Sequence, residues 1–179
     1  MRVLVVGDSV SAALGYEPML ETGIAKGFEV RFDLQVCRRL ATAGCPFGGH
    51  LPSSALDVVQ SSAGGSEVLV VDVGYNDDPV VYGREMAQVI RAAKAAGVKE
   101  IVWVNLRETQ PLFKQINAVI GTEAKRFPLV QVADWNSWSA GKPWFRSDGL
   151  HLTDSGAQGL ALMLRVYIVS AAQSATATS

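Results

Sequence analysis

The chain has 179 residues, 49% of them hydrophobic and 18% charged, which is enough to bury one sizeable core and fits one domain better than two. Its formal net charge is −1, from 16 basic and 17 acidic residues that gather into no block of one sign, so it lacks the electrostatic footprint of a nucleic-acid binder. No stretch approaches the roughly 20 apolar residues of a bilayer span and no cleavable leader precedes the first strand, so the expectation is a soluble domain, including one excised from a larger membrane-anchored protein.

Residues 2–7 form a short, continuous β-branched run ended by glycine, the pattern of a strand buried on both faces of a parallel sheet. Residues 11–24 have helical spacing, 29–36 alternate as a weaker strand, and 53–62 read as a helix. A second apolar run covers 68–73. Residues 84–96 place Met86, Val89, Ile90 and Ala93 on one helix face and stop at Gly97. A third apolar run, 101–104, is followed by a helix over 111–126 that aligns Leu112, Ile116, Val119 and Ile120, with Thr109 as cap and Pro111 in the first turn. Residues 129–132 are a fifth strand, and 153–171 a last helix. The domain is thus expected over 1–170, with the Ser-, Ala- and Thr-rich residues 171–179 as a disordered tail. Strands alternating with helices predict right-handed crossovers and a three-layer α/β/α sandwich around a five-stranded parallel sheet. Ligands in such sheets sit beyond the carboxyl ends of the strands.

Three segments at such ends carry chemistry. Gly7-Asp8-Ser9 closes the first strand and opens a helix whose free amides could face a developing oxyanion; the plainer reading is a turn with Asp8 or Ser9 as N-cap. Gly74-Tyr75-Asn76-Asp77 closes the third strand, where glycine lets a ligand near the backbone and the Asn76 amide is a neutral donor, although Asn and Asp also favour ordinary turns. Asp148-Gly149-Leu150-His151 spaces a carboxylate and an imidazole so that one turn can point both the same way. A serine hydroxyl is a poor nucleophile at neutral pH and needs an imidazole to take its proton and a carboxylate to fix that imidazole's tautomer. The other histidine, His50, lies in a Gly- and Pro-rich loop with no carboxylate nearby.

Cys37 and Cys45 share one loop, so a local disulfide is geometrically possible and free thiols are the alternative. Zinc held by this pair and His50 is disfavoured, with three ligands at no familiar spacing. Arg38, Arg39 and Arg107 could hold a carboxylate or the polar part of a sugar ester at the mouth of a cleft, or stand solvated. The aromatic group Trp135, Trp138, Trp144 and Phe145 either walls an acyl or sugar pocket or packs under a long loop.

The three segments, with Leu152-Thr153 extending the last, resemble the first, third and fifth sequence blocks of the SGNH, or GDSL-like, hydrolases over about residues 2–165. That resemblance implies a five-stranded parallel sheet of flavodoxin-like order 2-1-3-4-5, Ser9 as nucleophile, His151 as general base and Asp148 as its partner. The Ser9 amide and the Asn76 side chain would form the oxyanion hole, and Gly74, Arg107 and Trp144 are the expected substrate contacts. Members are mostly esterases, lipases, thioesterases and carbohydrate deacetylases that use no metal or organic cofactor. The expectation is therefore a serine esterase acting on small acyl esters, acetyl esters of carbohydrate included. The rivals are acyl transfer to a sugar or peptidoglycan hydroxyl and a non-catalytic binding module, the nucleotide version of which lacks its glycine fingerprint in the first turn.

One block departs from the pattern. The family places a glycine after the second strand for a further oxyanion amide, whereas this chain reads Gln35-Val36-Cys37-Arg38-Arg39-Leu40 and has no glycine until Gly44. The backbone of Arg38 or of Gly44 could serve, or the hole could have two donors. This loop also resembles SGNH domains of bacterial polysaccharide and cell-wall acyl-modifying proteins, some fused to membrane acyltransferases. That implies a Cys37–Cys45 disulfide and an exported setting, with a cytoplasmic one if the cysteines are free.

Overall fold

The computed structural model describes residues 1–177. Five strands, β1 (Arg2–Gly7), β2 (Glu29–Leu34), β3 (Val68–Asp72), β4 (Glu100–Val104) and β5 (Val130–Ala133), pair in parallel in the order β2-β1-β3-β4-β5. The three inner strands are apolar nearly throughout because both faces are covered, and their side chains are almost wholly buried. The edge strands β2 and β5 are half-buried, which is why their sequences give weaker signals. Gly7 lies in register with Leu34 on one side and Asp72 on the other, so β1, β2 and β3 end together on one rim.

Helices α2 (Ala55–Ser62), α3 (Pro79–Ala95) and α4 (Pro111–Ala124) pack side by side over one face, while α1 (Pro18–Ala25) and α6 (Asp154–Ala177) cover the other; α5 (Trp135–Trp138) is a single turn after β5. The helix expected over 11–24 splits into a 3-10 segment, Ser11–Tyr16, and α1, because Pro18 lacks the N–H that a continuing helix needs and sits instead in a first turn. Helix α3 starts at Pro79, five residues before the periodicity suggested, with the Asp78 carboxylate accepting the Val80 N–H at 2.9 Å. Gln110 takes the N-cap position of α4, and Thr109 does not cap it.

One expectation about the C-terminus, the disordered tail, is corrected. Helix α6 runs on to Ala177 with Ala171, Ala172 and Ala175 buried, since alanine is the best helix former and its small side chain packs closely; residues 178–179 lie outside the described residues. The same helix is long and apolar enough to cross a membrane by length and composition. Its apolarity has a local cause, because Leu160, Met163, Leu164 and Ile168 are buried on the side that faces the sheet.

Candidate active site

The rim where β1 and β3 end is built around a buried carboxylate. Gly7 allows the chain to turn there, since a Cβ would overlap the Ser11 hydroxyl. Asp8 is fully buried: one oxygen accepts the Val10 N–H at 3.0 Å and the other accepts the Gly74 and Tyr75 N–H groups at 3.2 and 3.3 Å. The residue before Ser9 thereby fixes the two residues before Asn76. Burial pushes the Asp8 carboxyl above its ordinary range, against the pull of those three amides. Behind it, burial and the charge of Asp8 raise Asp72 further, and one Asp72 oxygen has no hydrogen-bond partner among the described residues. Asp77, one of whose oxygens accepts the Leu40 N–H at 2.9 Å while the other has no partner among the described residues, is pushed up to about 7, chiefly by burial.

Across the rim, Asp148 shapes its own loop. Its Oδ1 accepts the N–H groups of Leu150 and His151 at 2.8 and 2.9 Å, and Gly149 takes the left-handed conformation, φ +70°, that this turn requires. Asp148 Oδ2 lies 2.8 Å from His151 Nδ1, and His151 Nε2 lies 3.2 Å from Ser9 Oγ. The hydrogen bond to His151, with the two amides behind it, lowers Asp148 to about 2, so it is ionised at neutral pH. An ionised carboxylate on Nδ1 keeps the proton there and leaves Nε2 as the acceptor facing Ser9. The side chains of His151 and Asp148 are 43% and 49% exposed, which puts this pair at the mouth of the site.

Ser9, Asn76, Asp148 and His151 line one cavity of about 450 Å³. Its apolar wall comes from Ala13, Tyr16, Val36, Phe47 and Leu152, and Arg146 and Cys37 complete it. Asn76 Nδ2 donates to the Arg38 carbonyl at 3.1 Å. Of these residues only Ser9, Asn76, Asp148 and His151 stand out in the sequence as lining the site. Arg146, two residues before Asp148, had a positional clue; Tyr16 at the end of the 3-10 segment and Phe47 in an irregular loop had none.

Five of the expected residues stand outside the cavity lining. Arg38 does not supply a free amide or a substrate clamp: its N–H donates to Gln35 O, and its fully buried guanidinium donates to the carbonyls of Gly7, Ser53 and Asp33 and pairs with the Asp33 carboxylate at 2.5 Å. Gly44 backs the loop, since a Cβ there would overlap the Cys37 carbonyl oxygen, and it does not line the cavity. Arg107 donates to Gly149 O and stacks 3.6 Å over the Phe145 ring, which braces the Asp148 loop. Gly74 is an amide donor to Asp8, and Trp144 stacks on Trp135 with ring centroids 5.9 Å apart; neither reaches the cavity.

Cys37 is bonded to Cys45, which removes both as zinc ligands. It is also the one described non-glycine residue with a positive φ, +65°. An L-residue in this conformation costs roughly 1–2 kcal/mol relative to its ordinary basins.

No family model matches the chain, and no curated protein matches it. Solved structures do match. The aryl esterase of M. smegmatis has a TM-score of 0.72 at 14% identity, over 94% of this chain and 98% of its own. Est24, a carbohydrate acetylesterase from Sinorhizobium meliloti, gives 0.68 at 11% identity over 94% and 98%. The psychrotrophic esterase EstA from Pseudoalteromonas sp. gives 0.66 at 13% identity over 97% of each chain. With the sheet order β2-β1-β3-β4-β5 that the three sequence blocks implied, the chain has the fold of the SGNH, or GDSL-like, hydrolases.

Proposed function

We propose that the protein is a serine hydrolase that cleaves small acyl esters through an acyl-enzyme, with Ser9 as nucleophile, His151 as general base and Asp148 as the carboxylate that orients it. The observation that carries this reading is the unbroken chain from Asp148 Oδ2 through His151 to Ser9 Oγ, 2.8 and 3.2 Å, opening on a cavity. His151 Nε2 takes the Ser9 proton as Oγ bonds the ester carbonyl carbon, and the carbonyl π pair moves to oxygen. The Ser9 N–H and the second Nδ2 hydrogen of Asn76, whose first goes to Arg38 O, are the donors proposed for that oxyanion. Collapse breaks the ester bond, and the alcohol leaves with the proton held by His151. Water then gives a proton to Nε2 and attacks the acyl carbon; the acid departs and Ser9 regains its proton.

A cavity of about 450 Å³ suits a small ligand, and acetyl esters of carbohydrate fall within the proposed class. The exposure of His151 and Asp148 gives water a route to the acyl-enzyme, which favours hydrolysis over transfer to a sugar hydroxyl. The Cys37–Cys45 bond supports an exported, oxidising setting. Initial rates on p-nitrophenyl esters of increasing acyl length test the proposal. The expectation is turnover that falls as the acyl chain outgrows the cavity, and a loss of roughly 10³-fold or more in Ser9→Ala with an unchanged circular dichroism spectrum. Parent-level turnover by Ser9→Ala contradicts it.

A further inference from the structure

We propose that Arg146 selects the substrate: its guanidinium holds a carboxylate carried by the ester, so that the site at Ser9 prefers carboxylate-bearing acyl esters to neutral ones. This deepens, and rests on, the ester-hydrolase reading of the site.

Among the described residues the cavity lining has one permanent cation, Arg146. The anion two residues away is already engaged: Asp148 Oδ1 accepts the Leu150 and His151 N–H groups, and Oδ2 faces His151 Nδ1. Arg146 pairs neither with Asp148 nor with any other carboxylate among the described residues. The other arginines of this rim have partners within the protein. Arg38 is buried on three carbonyls and Asp33, and Arg107 donates to Gly149 O and covers the Phe145 ring.

Arg146 is tied to the loop that carries the base. An antiparallel bridge joins Phe145 to Leu152, and next to it the Arg146 N–H donates to His151 O at 2.7 Å. Its side chain folds back along the same loop, where Nε donates to Leu152 O at 3.1 Å. His151 and Leu152 both line the cavity. The Nε bond holds the guanidinium and leaves the Nη1 and Nη2 N–H groups without a protein acceptor among the described residues. Two such groups side by side match the two oxygens of a carboxylate end-on, and a charge-assisted pair of this kind is stronger than a neutral one. Exposed ion pairs are weak partly because a long side chain must be immobilised to form them, and the Nε tie has already met part of that cost. The carbon skeleton between the carboxylate and the ester group lies against the apolar wall of Tyr16, Val36, Phe47 and Leu152.

The test compares two pairs of esters that differ in charge. Mono-p-nitrophenyl adipate and its methyl ester place the carboxylate, or its neutral counterpart, on the acyl half; 4-acetoxybenzoate and its methyl ester place it on the alcohol half. For each pair the ratio of kcat/KM, anionic over neutral, is measured in the parent, Arg146→Gln and Arg146→Lys, with Ser9→Ala subtracted as blank and a thermal melt of every protein. Comparing ratios between proteins cancels both the intrinsic reactivity of the esters and any general loss from a loosened loop. A hydrogen bond to a charged group is worth about tenfold or more, and exposure to solvent reduces it, so we expect the parent ratio to exceed that of Arg146→Gln by at least about fivefold in one pair, mainly through KM. The pair that responds identifies the half that bears the carboxylate. Arg146→Lys, which keeps the charge and loses the fork, should fall between the two. The preference should also shrink in 1 M NaCl, where the screening length is about 3 Å. A difference below about fivefold in both pairs overturns the proposal, and so does a preference that salt leaves intact, since charge would not be its cause. If Arg146→Gln does not fold, Arg146→Lys and the salt series on the parent decide. A parent that hydrolyses the neutral esters without this preference overturns this proposal alone. A parent with no turnover of any of the esters above the Ser9→Ala blank removes the hydrolase reading, and this proposal with it.

Discussion

Replacing Asp8 by asparagine cuts the strut that joins the Ser9 turn to the Asn76 turn. The side chain is wholly buried and accepts three backbone N–H groups, from Val10 on one oxygen and from Gly74 and Tyr75 on the other. Asparagine keeps the shape and one oxygen for Val10, but its NH2 then faces two donors. A buried donor left without an acceptor costs about 1–3 kcal/mol, so the two together cost about 2–6 kcal/mol. The neutral amide also sheds the burial penalty of a carboxylate, the cause that dominates the raised pKa of Asp8, which brings the net loss to the lower end, about 2 kcal/mol. Folded domains hold about 5–15 kcal/mol in all, so Asp8→Asn should still fold. Its turns should part enough to lower kcat by tenfold or more, because donors act only within a few tenths of an ångström of their proper place. Urea unfolding followed by tryptophan fluorescence, beside p-nitrophenyl acetate kinetics, measures both effects. A stability loss under about 0.5 kcal/mol together with parent kcat would show that Asp8 does not join the two turns.

Asp77 has a raised folded-state pKa, about 7 against 3.8, so between those values the folded chain holds a proton that the unfolded chain has lost. Stability must then fall as pH rises from about 4 to 7, by on the order of 4 kcal/mol at most, and Asp77→Asn should flatten that part of a pH-resolved urea titration; an unchanged slope counts against it. Asp148→Asn keeps the Oδ1 bonds to Leu150 and His151 but turns an NH2 toward His151 Nδ1, which favours the tautomer that cannot take the Ser9 proton. Its kcat should drop by up to about 10⁴-fold with the melting temperature little changed, and a loss under tenfold argues against the orienting role. Gly156→Ala sets a Cβ against the Trp144 carbonyl, the acceptor of Thr153 N–H in the loop that carries His151. We expect about 1–3 kcal/mol of destabilisation in a thermal melt, and a parent-like transition would show that the loop yields freely.

The sheet was legible because Val3–Val6, Val68–Val71 and Ile101–Val104 are apolar on both faces, a pattern that only a covered parallel sheet accommodates. Ser9, Asn76, Asp148 and His151 were legible because each stands where such a strand or the loop after it ends. Arg38 was not. Arginine is rarely buried, so a surface or cleft role was the natural expectation, and only the fold shows three carbonyls and Asp33 gathered around it. Arg107 and Trp144 misled for a related reason: stacking on Phe145 and on Trp135 brings together residues whose contacts leave no periodic trace. The reach of α6 to Ala177 was hidden because a run of small residues reads as a tail until the surface that buries its alanines is known.

Hydrolysis by this site depends on His151 activating Ser9. Labelling with a fluorophosphonate, followed by peptide mass analysis, asks this directly, since the reagent phosphonylates an activated serine and spares ordinary ones. We expect a single adduct on the peptide carrying Ser9, absent in Ser9→Ala and strongly slowed in His151→Ala. Failure of the folded parent to label, or equal labelling of Ser9→Ala, would contradict it.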